Sequence, residues 1–292
     1  MNRFLAALAL LLAASGALAD PVPGVRGVYT LSLGALMGGT TRTPSSGLHW
    51  RVYNEAAESD GSHLLVAESI DANPLLQLQE GQYIVHLGIG LASATKREVI
   101  NGGNVVDKIT INAGGLAVVP VLGDRPIAAA HLKISIFVPE KGNSEAKLVL
   151  ANAKAGEVVT LPEGTYHIVS TYLDLVGVGA LDGPDANNAT NSIVAADLRV
   201  ASGKVITASL RHRAAVSTLK LVNQPGGEAM ANTSFTVLTP GGDVIRELIG
   251  AFPSLVLAEG EYAAIARNNG NTYQANFKVE STLDRDVEII AK

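Results

Sequence analysis

Apolar and polar residues alternate along this chain in short runs. Leu48-His49-Trp50-Arg51-Val52, Ala130-His131-Leu132-Lys133-Ile134 and Ser217-Thr218-Leu219-Lys220-Leu221 each put apolar side chains on one face and polar ones on the other. That two-residue period is the mark of a half-buried strand. Runs of the same kind end at Ile111, Val200 and Val279, and a last strand follows each, over 116–122, 205–210 and 287–290. After the first twenty residues no amphipathic run of helical spacing reaches ten residues. Aligned on these runs, the chain divides into three units of six or seven short strands. The expected fold class is all-β, with three tandem β-sandwich domains.

One motif recurs in all three units. Leu78-Gln79-Glu80-Gly81-Gln82-Tyr83, Leu161-Pro162-Glu163-Gly164-Thr165-Tyr166 and Leu257-Ala258-Glu259-Gly260-Glu261-Tyr262 share Leu, Glu, Gly and Tyr at fixed spacing. Strand-like alternation flanks each copy, so the motif reads as a hairpin turn. Pro162 suits the second position of a type I turn, and Gly81, Gly164 and Gly260 suit a following left-handed residue. Glu80, Glu163 and Glu259 are then turn residues. Tyr83, Tyr166 and Tyr262 open the returning strand, ring inward and hydroxyl near the rim. Three tyrosines also suit a ligand-stacking row, but equivalent places in separate units favour core anchors.

The repeat alignment sets boundaries. Residues 20–46, rich in Gly, Thr, Ser and Pro, are expected to form a flexible lead with one short strand over 28–33. The β-sandwich repeats then cover 47–123, 128–213 and 216–292, with short junctions that make a semi-rigid rod. Tyr83 lies 28 residues before Ile111, Tyr166 34 before Val200 and Tyr262 17 before Val279. Extra loop is therefore expected within 88–104 and 173–192, and within 239–253 for the third unit. Loops carried on a rigid sandwich are where binding function is displayed.

Composition adds a compartment. Arg3, an apolar run from Phe4, and Ala17-Leu18-Ala19 before Asp20-Pro21 make residues 1–19 a secretory signal peptide with an A-x-A cleavage site. The uncharged run of about 16 residues is short of the roughly 20 needed to span a bilayer. No later stretch approaches a membrane span, so the expected location is periplasmic or secreted. The chain has no cysteine. Each unit must therefore be held by apolar burial rather than by the disulfides common in exported domains. The formal charge of −5 gives no electrostatic footprint for nucleic acid.

The sequence carries no recognisable catalytic constellation. His49, His63, His86, His131, His167 and His212 form no H-E-x-x-H or H-x-H pair, and there is no G-x-S-x-G elbow. Glu80, Glu163 and Glu259 fall in separate units, too far apart to act on one bond. Gly88-Ile89-Gly90 and Gly177-Val178-Gly179 lack the Lys and helix of a phosphate loop. Asp182, Asp185, Asn187 and Asn188 are the best metal candidate, with oxygen ligands that suit calcium. Their spacing is not that of an EF-hand, and an ordinary polar loop explains them. The sequence thus reads as noncatalytic and cofactor-free, with an envelope protein or glycan as its expected partner.

The repeated Leu-x-x-Gly-x-Tyr followed by a strand resembles carboxypeptidase-regulatory-like and prealbumin-like β-sandwich modules. The run His212-Arg213-Ala214-Ala215-Val216 with Thr218-Leu219-Lys220-Leu221-Val222 and Gly226-Gly227-Glu228-Ala229 also resembles exported proteins of alphaproteobacteria. The resemblance implies an Ig-like or prealbumin-like sandwich and supplies no activity, because such sandwiches are accessory to catalytic domains.

Overall fold

The computed structural model describes residues 27–139, 147–173 and 192–292. The signal peptide expected over 1–19 lies outside them. Among the described residues the regular elements are strands, apart from one 3₁₀ turn at Ala129–His131.

The first unit contains β1 (Val28–Met37), β2 (Leu48–Ala57), β3 (His63–Ser69), β4 (Leu75–Gln79), β5 (Gly81–Ile89), β6 (Ala92–Ile100) and β7 (Val105–Ile111). They form two sheets, β4-β1-β7 and β3-β2-β5-β6. The alternation along β5 shows why the sheets stack. Tyr83, Val85 and Leu87 point into the core while Gln82, Ile84 and His86 point outward. Leu31 and Leu33 of β1 meet Trp50 and Val52 of β2 inside the sandwich. Trp50 is 1% exposed, and its indole N–H donates to the carbonyl of Asp71 at 3.0 Å. Its buried polar atom is thereby satisfied.

The second unit contains β8 (Ala113–Leu122), β9 (Arg125–Pro126), β10 (Leu132–Val138), β11 (Lys147–Leu150), β12 (Val158–Pro162), β13 (Gly164–Tyr172), β14 (Ser192–Val200) and β15 (Val205–His212). The third contains β16 (Ala214–Val222), β17 (Ser234–Leu238), β18 (Val244–Ile249), β19 (Ser254–Ala258), β20 (Gly260–Asn268), β21 (Asn271–Val279) and β22 (Arg285–Ile290). Their sheets repeat the first plan: β12-β8-β15 with β11-β10-β13-β14, and β19-β16-β22 with β18-β17-β20-β21. In every unit the first long strand lies between an antiparallel neighbour and the last strand, which runs parallel to it. Each sandwich has its own apolar core.

This register moves the unit boundaries. Val28–Met37 is no lead; it is the central strand of the first small sheet, with Leu31 fully buried. Residues 116–122 belong to the first strand of the second unit, not the last of the first. The units begin at Val28, Ala113 and Ala214. One residue, Asn112 or Arg213, separates consecutive units. The runs starting at Leu48 and Ala130 do fall on equivalent second strands, two residues out of register, because Leu48 faces Ile89 as Leu132 faces Tyr172. Ser217–Leu221 falls on β16, a first strand; the counterpart of β2 is β17.

Loop lengths change with it. Gly81 faces Ile100, Gly164 faces Val200 and Gly260 faces Val279. Tyr-to-strand-end spacings are therefore 17, 34 and 17 residues. The first unit has no extra loop over 88–104, where β5 and β6 are joined by Gly90-Leu91 alone. The third has Asn269-Gly270, both at positive φ (48° and 82°), as a two-residue hairpin requires. The expected long stretch at 239–253 contains β18. The second unit alone carries added length here, 19 residues between Tyr172 and Ser192.

Candidate functional site

The Glu-Gly-x-Tyr motif is a corner between sheets, not a hairpin. β4 pairs with β1 and β5 with β2, so Glu80 carries the chain from one sheet to the other. Glu163 and Glu259 do the same. Alternation on both sides is common to a hairpin and a corner, which is why sequence pattern did not separate them. Tyr83, Tyr166 and Tyr262 are 5%, 4% and 9% exposed. Each hydroxyl donates to the carbonyl four residues back, Gln79, Pro162 or Ala258, at 2.8 Å. This is the arrangement of a tyrosine corner. Burial raises the Tyr166 and Tyr262 phenols above their ordinary range. Gly81, Gly164 and Gly260 have no positive φ. Crowding is confined to Gly81, where a Cβ would sit 3.3 Å from the Tyr83 hydroxyl, two residues on along the same face; at Gly164 and Gly260 the nearest atoms lie at 3.8 and 3.5 Å.

The corners of the second and third units also hold the joints. The Glu163 N–H donates to Asn112 O at 3.0 Å, and the Glu259 N–H to Arg213 O at 3.0 Å. Both acceptors are the one-residue linkers. Across the first joint Leu91 N–H also donates to Thr160 O. At the second, the Arg213 guanidinium grips the Glu259 carboxylate with two bonds of 2.9 and 2.8 Å. In the first unit Glu80 instead accepts from the Tyr29 hydroxyl at 3.1 Å.

One core contains a polar group where its siblings are apolar. His212, at the end of β15, is 1% exposed. Its Nε2 lies 2.9 Å from Ser170 Oγ and its Nδ1 3.1 Å from Ser192 Oγ, both serines buried. Register places Leu87, Ala92 and Ile111 at the equivalent positions of the first unit. Tyr172 packs edge-on against His212 at 6.1 Å and against His131 at 6.2 Å. Burial lowers the His212 pKa to about 4, against a smaller opposing effect of the Ser192 hydrogen bond. The imidazole is neutral at pH 7, and a serine hydroxyl on each ring nitrogen satisfies donor and acceptor. In sequence His212 sits between Arg211 and Arg213, as a solvated basic strand end would; the signal that marks it is its position, where the other repeats have Ile111 and Ala291.

The other sequence candidates are dispersed. His49 and His63 are exposed, His167 pairs with Asp197 at 2.7 Å, and His86 lies on an outer sheet face with its pKa lowered by burial and by Arg51. Lys96, Glu98 and Asp107 form a small ionic group, with Lys96 Nζ 2.5 Å from Asp107. Burial and the hydrogen bond with Asp107 push the Glu98 carboxyl up. Burial also acts to raise Asp107, but bonds from Lys96 and Glu98 outweigh it and hold Asp107 down. No group of three His, Cys, Asp or Glu among the described residues is placed to hold a metal ion. Asp182, Asp185, Asn187 and Asn188 lie outside the described residues. Among the described residues no helix is long and apolar enough to cross a membrane.

Residues 216–291, the third unit almost entire, match the Rhizobiales growth-associated tandem repeat domain. The match agrees with the alphaproteobacterial resemblance and with the tandem-repeat architecture, and gives no support to the carboxypeptidase-regulatory-like one. No curated protein matches the chain. Among solved structures, the Bacillus anthracis TIE protein is 16% identical with a TM-score of 0.25 over 91% of this chain, which spans only 50% of that protein's length. The major pilin subunit of Bacillus cereus is 11% identical (TM-score 0.23, 91% of this chain and 99% of that one). The minor pilin of Streptococcus agalactiae is 13% identical (TM-score 0.29, 63% and 95%). The chain's own sheets, rather than scores of this size, define its fold.

Proposed function

We propose that this chain is a noncatalytic exported scaffold of the bacterial envelope or surface, a semi-rigid rod that holds its ends apart and presents side loops to a partner. The observation that carries this reading is the splice between units. The last strand of one sandwich becomes the first strand of the next across a single residue, and backbone hydrogen bonds from the neighbouring corner clamp that residue. A flexible multidomain enzyme needs hinges; this chain spends its joints on rigidity. The signal-like residues 1–19 and the cysteine-free, core-held units support export.

The test is fractionation of cells producing the tagged full chain, with N-terminal sequencing of the product. The expected product lies outside the cytoplasm and begins at Asp20. An uncleaved cytoplasmic product would refute export. Hydrolysis of an ester, peptide or glycoside panel that tracks the folded protein would refute the noncatalytic role.

A second reading, a carbohydrate- or peptide-binding module, is favoured by the 19 residues between Tyr172 and Ser192, where the other units have two. Glycan or peptide binding that disappears on replacing 173–191 with Asn-Gly would support it, and binding that survives the replacement would remove the loop from consideration.

A further inference from the structure

The two joints of the rod are built alike and filled differently. At the second, buried Tyr172, Ala214 and Val256 close on half-buried Leu122, Ile127 and Val216 as an apolar plug. Register places Met37, Ile89, Gly115 and Thr160 of the first joint at the positions of Leu122, Tyr172, Val216 and Val256. Ile for Tyr removes bulk, Gly for Val leaves a place that Val158 and Val205 partly fill, and Thr for Val exchanges a methyl for a hydroxyl at nearly equal volume. Where the plug would be, the first joint has a cleft of about 290 Å³.

The cleft draws its walls from both units. Met37 and Ile89 come from the first, Val158 and Val205 from the second, with Gly115 between the two valines. Gly115 has no room for a side chain, since a Cβ would lie 2.7 Å from Val158 and 3.0 Å from Val205. Two cations stand at the rim. Arg42 comes from the segment after β1, and Lys204 from the turn before β15. Neither side chain has an ion-pair or hydrogen-bond partner among the described residues. Both are exposed, and together they set two positive charges beside one apolar cleft. Small-molecule sites favour domain boundaries, apolar walls and a few convergent polar groups, and begin at roughly 300 Å³. An Arg and a Lys free of intramolecular partners can both donate to a carboxylate or sulfonate at such a rim.

We propose that the cleft between the first and second units binds a small amphipathic anion, a compound with one carboxylate or sulfonate head and a short apolar or aromatic body. The head lies between Arg42 and Lys204, and the body between Met37, Ile89, Val158 and Val205. Because the walls belong to two units, the bound molecule ties the first joint as the apolar plug ties the second.

The test titrates the purified mature chain with 8-anilinonaphthalene-1-sulfonate by fluorescence, with octanoate as competitor. The expected result is saturable 1:1 binding that octanoate displaces. Arg42→Ala with Lys204→Ala weakens it at least tenfold, and Ile89→Tyr, which rebuilds the plug, weakens it as much. The neutral probe N-phenyl-1-naphthylamine binds at least tenfold more weakly than the sulfonate. Circular dichroism and thermal melts establish that the variants are folded. Should Ile89→Tyr fail that check, the double surface variant decides. The proposal falls if binding does not saturate by millimolar probe, if the double variant binds as the parent does, or if the neutral probe binds as tightly as the anion.

Discussion

The hydroxyl of Tyr166 donates to the carbonyl of Pro162 at 2.8 Å, across the turn that carries the chain from one sheet to the other. The same bond joins Tyr83 to Gln79 and Tyr262 to Ala258. Each pins the start of a four-stranded-sheet element to the end of a three-stranded-sheet element, so the corner fixes the stacking of the two layers. Phenylalanine keeps the ring and removes the bond. Tyr166→Phe is expected to destabilise the second unit by about 1 kcal/mol, the net worth of one hydrogen bond. Urea unfolding followed by circular dichroism measures it, and an unchanged midpoint would show that water replaces the hydroxyl.

The glycines of the corners separate crowding from backbone freedom. None has positive φ, so alanine is admissible on backbone grounds. At Gly164 the nearest ring atom lies 3.8 Å from a would-be Cβ, an ordinary contact, whereas at Gly81 it lies at 3.3 Å. Gly164→Ala is expected to be neutral or to stabilise by roughly 0.4–1 kcal/mol through the unfolded chain. Gly81→Ala is expected to destabilise by about 1 kcal/mol through overpacking. Equal effects at the two sites in chemical denaturation would contradict the crowding account.

His212 makes the second unit sensitive to acid. An unfolded chain takes up the proton near pH 6.5, the folded one only near pH 4. Stability is therefore complete above about pH 6.5 and falls with pH through the window down to 4. The slope is about 1.4 kcal/mol per pH unit, and the total about 3 kcal/mol. Hydrogen exchange of β13 and β15 amides, compared at pH 7 and pH 4.5 after correction for intrinsic rates, reports it. His212→Ile, which restores the residue of the first unit, is expected to abolish the difference between the two pH values for these strands.

The joints depend on linker length. Asn112 is the one residue between the first two units, and its carbonyl accepts from Glu163 N–H. Inserting Gly-Ser-Gly-Ser after Asn112 is expected to uncouple the first two sandwiches and leave each folded. Small-angle scattering checks this through a broader distance distribution with an unchanged circular dichroism spectrum. A distribution identical to that of the parent would mean that the remaining contacts, such as Leu91 to Thr160, hold the joint unaided.

Much of this was legible in the sequence, and the failures have one physical origin. Alternation revealed the strands, and the recurrence of Leu, Glu, Gly and Tyr revealed three units. Alternation does not say which sheet a strand joins. Tyr83 therefore looked like the far side of a hairpin when it is the far side of a corner. Ile111-Asn112-Ala113 carries neither Pro nor Gly, so the end of one sandwich and the start of the next read as one unit. That slip moved the first two boundaries by a strand and created an apparent loop at 88–104, while the last boundary, expected between 213 and 216, falls at Arg213. The buried His212 site was invisible for a related reason. Its serines, Ser170 and Ser192, reach it across two different strand pairings, and the apolar Leu87 and Ala92 of the first unit fall at their places only once the true register is known.

The parallel pairing of first and last strands bears on mechanical load. A pull along the chain enters each sandwich at the start of its first strand and leaves at the end of its last. In the first unit these are β1 and β7, paired from Leu31–Val105 to Met37–Ile111, and the second and third units repeat the pair as β8–β15 and β16–β22. Opposite ends of neighbouring parallel strands are drawn apart, so the ladder is loaded in shear and its hydrogen bonds share the force instead of opening one at a time. With single-residue linkers there is little slack to take up first. Tension applied to the rod reaches three shear-loaded ladders in series, and the weakest of them sets the force at which the chain extends.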